Sequence, residues 1–187
     1  MRDLDRRALD IAGEVIAHVT PADLDRPTPC AAWNLGELLR HLISENRAFA
    51  DAAGTRARWP VEDTDLTRAY HDSAAAVTEA FAAPDLYDRQ IEVGEFGAFP
   101  GRIAVGMHFI DFLLHGWDVA ASIGVPYRPD PELAGSALAM AARWPDTPKT
   151  RGLGAPFGDR VPVPGDAPDF DRLLGLLGRS PSWVTPC

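Results

Sequence analysis

The chain has 187 residues, 46% of them hydrophobic and 24% charged, a balance that suits one globular domain with a sizeable core and excludes wholesale disorder. Its 18 Lys and Arg against 27 Asp and Glu give a formal charge of -9, which repels a phosphate backbone and argues against nucleic acid as a partner. No run approaches a membrane span, and the N-terminus MRDLDRRALD is charged from its second position, so a cytoplasmic protein is expected.

The first helix is expected from about Asp3 to Val19, where Leu4, Ala8, Ile11, Val15 and Val19 recur at helical spacing. His18 falls in its last turn, where a histidine commonly meets exposed carbonyls. Pro21, Pro27 and Pro29 then break the chain. Cys30, in a TPC loop, and Cys187, at the end, are too few for a disulfide framework, and Cys30 reads as a small loop or core residue.

Asn34 and Glu37 form a capping-box pattern opening a second helix that ends at Gly54, with Leu35, Leu38, Leu39, Leu42, Ile43 and Phe49 on its buried face. His41 sits on the flank, with Glu45 one turn later. A third helix is expected over about Asp65 to Ala82, its His71 solvated. Alternation in Arg89 to Val93, followed by Gly94, predicts a short hairpin or extended crossing.

Pro100 and Gly124 bracket the longest helix, and a further helix follows from Pro131 to Arg143 behind Asp130. From Trp144 the chain turns Pro/Gly-rich before a short helix, Phe170 to Leu177. The expected organisation is a single domain, 1–187, in which 144–187 is an extension packed on the helices.

Within the longest helix, MHFIDFLLHGWDVA places His108, Asp111, His115 and Asp118 on one stripe among apolar residues. Burying such groups unpaired costs roughly 1 to 3 kcal/mol each, so the stripe predicts partners, water or a metal ion. Asp111-x-x-x-His115 offers two ligands one helical turn apart, and His41 is the best-placed third. Two imidazoles and a carboxylate suit Zn²⁺, with Ni²⁺, Fe²⁺ and Mn²⁺ allowed by ligand type. A hydrogen-bonded structural cluster fits the spacing equally well. His108 is an alternative ligand or a cavity-lining residue. Asp118 reads either as an acceptor for the second nitrogen of His115 or as an exposed acid, and Trp117 as packing. GxSxG, HExxH, GxGxxG and GxxxxGK[ST] are all absent.

Two stretches also carry a resemblance. TPCAAWNLGELLRHLISENRAFA and FIDFLLHGWDVAASIG resemble the motifs of the DinB-like proteins related to mycothiol-dependent maleylpyruvate isomerase, and RLLGLLGRSP resembles the tail of short actinobacterial members. The resemblance implies an all-α, up-down-up-down four-helix bundle, here with the hairpin insertion and the Pro/Gly-rich tail. It implies a divalent ion, usually zinc, held by His41, Asp111 and His115, with mycothiol or a similar thiol as cosubstrate. Three departures accompany it: Asp111 stands where the isomerases use Glu, AlaAla precedes Trp33 in place of ProGly, and the chain is too short for the isomerase's additional C-terminal domain.

The expected function is a metal-dependent thiol S-transferase or isomerase-like enzyme acting on a small molecule, with His108 the nearest group for proton transfer. The rivals are a hydrolase or lyase using metal-activated water, and a non-catalytic, metal-stabilised ligand-binding bundle. A monomer or homodimer is expected.

Overall fold

The computed structural model describes residues 1–31, 33–147, 150–152 and 157–186. Cys187 and part of the Pro/Gly-rich stretch therefore lie outside the described residues. Among the described residues the chain is mostly helical, with six α-helices and one two-stranded antiparallel sheet. The helices are α1 (Arg2–Ile16), α2 (Leu35–Ala52), α3 (Leu66–Phe81), α4 (Gly101–Ile123), α5 (Pro131–Ala141) and α6 (Asp169–Leu176). The strands β1 (Gln90–Glu92) and β2 (Ala98–Pro100) precede α4.

Local chemistry sets most of these boundaries. Asn34 accepts from the Glu37 backbone N–H while the Glu37 side chain accepts from the Asn34 backbone N–H, so the expected capping box opens α2. Asp65 and Asp130 cap α3 and α5 without the reciprocal bond, their carboxylates accepting from backbone N–H groups of the first turn. The hairpin pairs Ile91 with Phe99, and Gly124, at φ 73°, ends α4 in the left-handed region. Helix α1 ends at Ile16, short of the expected Val19. The N–H groups of His18 and Val19 bond to Val15 and Ile16, an i to i−3 pattern that tightens the last turn and leaves His18 exposed.

The expected up-down-up-down order is not what the contacts give. Asp5 meets His108, and Ala12 lies against Gly116, so α1 and α4 run in the same direction. Arg2 reaches the Ala83 carbonyl and Tyr70 the Leu9 carbonyl, so α3 runs opposite to α1. Asn46 meets both His108 and Ser73, and Phe49 packs on Phe81, which sets α2 against α4 and along α3. The order is up-down-down-up.

The connection between α2 and α3 explains the change. Trp59 donates to Asp51, and Arg47 forms a two-pronged ion pair with Asp63, so residues 53–65 double back along α2 before α3 begins. A short turn would have forced α3 to return antiparallel. The backtracking segment instead restarts it from the end at which α2 began.

Helix α4 is buried on two sides. Val105, Phe112 and Val119 join one apolar cluster with α1, α2 and α3, whereas Phe109, Ile110, Leu113 and Leu114 join another with α5 and the α6 residues Leu173 and Leu174. A helix covered on both faces reads as apolar all round, with its polar groups forced to find partners inside.

Candidate metal centre

Helices α2 and α4 bring His41, Asp111 and His115 together. Each offers a ligand atom, and those atoms lie within 4.8 Å of one another. His41 Nε2 is 3.8 Å from Asp111 Oδ2, and His115 Nε2 is 3.4 Å from Asp111 Oδ1. Bonds of about 2.1 Å to a tetrahedral ion separate ligand atoms by roughly 3.4 Å, so the two spacings to the Asp111 carboxylate are close to those of a metal site, and two imidazoles with one carboxylate are a donor set that divalent cations accept. The His115 side chain is 7% exposed, that of His41 24% and that of Asp111 33%, which leaves the cluster reachable from one side.

Each imidazole is held from behind. His115 Nδ1 lies 2.8 Å from Asp118 Oδ2, so Nε2 is the nitrogen left facing the cluster. Asp118 is fully buried and also accepts from Arg179, whose Nη2 lies 3.0 Å from Oδ2. The His41 ring stacks on Trp33 with centroids 4.4 Å apart, and Trp33 comes from the loop before α2. The carbonyl of Cys30 anchors that loop by accepting from Thr28 Oγ1 and the Trp33 N–H.

The electrostatics favour a charged Asp111–His115 pair within α4. Burial alone would raise the Asp111 carboxyl, but the charge and hydrogen bonding of His115, with His41, hold it below its usual value. Burial would likewise lower His115, yet Asp111 and then Asp118 raise it. His41 is pushed down chiefly by burial, with Asp111 opposing, so it favours the neutral form that a metal ligand requires. Glu45, one turn beyond His41, is raised by burial and by the nearby Asp111 charge.

The four residues of the α4 stripe therefore part company. His108 does not join the cluster. Its Nδ1 is 2.7 Å from Asp5 Oδ1, its Nε2 is 3.2 Å from Asn46 Oδ1, and Phe112, Phe49 and Phe81 surround the ring, which is fully buried. Both nitrogens of His108, the residue expected to transfer a proton, are thus engaged within the core and apart from the cluster. Neither of the other histidines is near: His18 and His71 are both exposed. Sequence reasoning missed Arg179, since nothing in a lone arginine 61 residues past Asp118 signals their pairing.

The mycothiol maleylpyruvate isomerase N-terminal domain family matches residues 6–120. The chain belongs to this family. The matched stretch holds His41, Asp111, His115 and Asp118, and stops before α5, α6 and Arg179. Two proteins from two strains of Mycobacterium tuberculosis, each described as uncharacterized, are 35% identical to it over 175 residues, 94% of this chain and 95% of theirs.

Crystal structures of the mycothiol-dependent maleylpyruvate isomerase and of a histidine-to-alanine mutant of it are similar in fold, with TM-scores of 0.58 and 0.59 at 15% and 13% identity. The similarity covers 75% of this chain and 66% of the isomerase chain, so the chain spans just under two thirds of that enzyme's length. Among the described residues, no helix is long and apolar enough to cross a membrane.

Proposed function

We propose that this member of the family binds one divalent cation, Zn²⁺ before Ni²⁺, Fe²⁺ or Mn²⁺, through His41, Asp111 and His115. With it the protein would act on a small molecule as a thiol-dependent S-transferase or isomerase-like enzyme. The observation that carries the reading is the convergence of two imidazoles and one carboxylate from two helices, open on one side. The mycothiol-type thiol rests on the family and on the activity of its structurally similar member, and is brought to this chain as part of the proposal.

When bound, the ion would supply a positive charge that lowers the pKa of a thiol or water at the open position. The protein's own groups do the rest. Asp118 orients His115, Trp33 covers one face of His41, and burial keeps His41 neutral. Glu45, one turn beyond His41 on α2 and within electrostatic reach of Asp111 and His115, is the group proposed to move a proton. In the same reading 1–187 is one cytoplasmic domain, a monomer or homodimer.

The test is to add mycothiol to protein loaded with Co²⁺. A sulfur-to-metal charge-transfer band that saturates with thiol supports the reading. A Co²⁺ spectrum unmoved by thiol, with turnover of an ester or amide in its place, would favour the hydrolase.

A further inference from the structure

We propose that Arg179 is a positioning residue for the metal centre. It locks Asp118, which in turn fixes the nitrogen that His115 presents to the ion. The inference rests on the metal reading above.

Arg179 reaches this place through a local device. Helix α6 ends in a turn where the Gly178 N–H bonds to the Gly175 carbonyl and the Arg179 N–H to the Leu174 carbonyl, with Gly178 at φ 83°. That is a Schellman motif, and its left-handed residue sends the next side chain back across the helix end. A Cβ at Gly178 would also lie 2.8 Å from Gly158 Cα, so the turn is specified by both conformation and space.

The Arg179 side chain is 6% exposed. Its Nη1 donates to the Leu177 carbonyl at 2.9 Å, while Nη2 and Nε approach Asp118 Oδ2 and Oδ1 at 3.0 and 3.5 Å. Asp118 Oδ2 is the same oxygen that faces His115 Nδ1 at 2.8 Å. The result is an unbroken buried line from the tail to a ligand: Arg179, Asp118, His115.

Anchoring of the tail does not explain the arrangement. Leu173, Leu174 and Leu177 already bury the α6 segment, and Thr185 donates to the Ala121 and Ser122 carbonyls. Burying an ion pair is costly compared with an apolar contact of the same size, and this one is placed where it restrains a carboxylate behind a candidate ligand. Groups that orient a metal-bound imidazole from behind are typically worth about 10- to 100-fold in metal affinity.

The experiment titrates Co²⁺ into metal-free wild type, Arg179→Gln, Arg179→Lys and Thr185→Val, reading Kd, the d–d spectrum and the Tm of the metal-free form. Arg179→Gln is expected to weaken Co²⁺ by about 10- to 100-fold and to alter the band envelope. Arg179→Lys keeps the charge, and hence the fold, but cannot bridge both carboxylate oxygens, so it should weaken binding by a smaller factor. Thr185→Val, which loosens the same tail without touching Asp118, should leave Kd and spectrum at wild-type values. Wild-type Kd and spectrum in either Arg179 variant would overturn the proposal, as would a loss in Thr185→Val equal to that in Arg179→Gln. A wild type that binds no Co²⁺ is a separate result, which defeats the metal reading itself.

Discussion

His115 is where the opposing electrostatic effects at the site meet. In the metal-free protein, burial would lower its pKa, but Asp111 and then Asp118 raise it to about 9 from an ordinary 6.5. A raised histidine contributes stability that is fully present below pH 6.5 and is lost as pH rises through about 9. Its proton must also leave before a metal can bind. Metal affinity is therefore expected to strengthen by up to about tenfold per pH unit between those limits, measured by chelator competition at stepped pH. A flat profile would mean that His115 is neutral in the unloaded protein. The Asp111–His115 pair was legible from its spacing, because residues four apart on a helix share a face whatever surrounds them. The fate of His108 was not legible, whereas Asp118 as the acceptor for the second nitrogen of His115 was one of the two readings its spacing allowed. Which of four stacked polar groups meets Asp5, His41 or Arg179 is decided by the rotation of α4 against three other elements.

At the scale of elements, caps could be read and directions could not. Asn34 and Glu37 specify the start of α2 through bonds made within a single turn. The direction of α3 depends on whether residues 53–65 turn sharply or double back, which rests on Arg47 finding Asp63 and Trp59 finding Asp51. The junction into α4 is similarly dictated by a close approach. Gly101 donates its N–H to the Arg89 carbonyl, and a Cβ there would run into the Leu86 carbonyl, which belongs to the backbone and cannot swing aside. Gly101→Ala is expected to destabilise the protein by about 1 to 3 kcal/mol or more, as overpacking does. Denaturant unfolding measures this directly, and an unchanged midpoint would show that the junction relaxes freely.

For the whole molecule, α4 acts as a central strut with an apolar cluster on each side, and the candidate centre sits where α2 crosses it. An ion bound there ties α2 to α4 and stabilises the folded state by linkage, about 2.7 kcal/mol at a free-metal concentration 100 times Kd. For a chain of this size that corresponds to a Tm rise of roughly 5 to 10 °C, reversed by a chelator and seen by thermal scanning with and without metal. The two motifs that carry the family resemblance also carry the three clustered residues. The tail that supplies Arg179 lies outside the matched stretch, and its contribution emerges only once the chain has folded.

The central claim is that His41, Asp111 and His115 form one divalent-metal site, and equilibrium dialysis against Zn²⁺ followed by elemental analysis tests it most directly. Wild type should retain one ion per chain, and His41→Ala, folded by circular dichroism, should retain none at the same free metal. A wild type that retains no ion, or a His41→Ala variant that retains as much as wild type, would contradict the account.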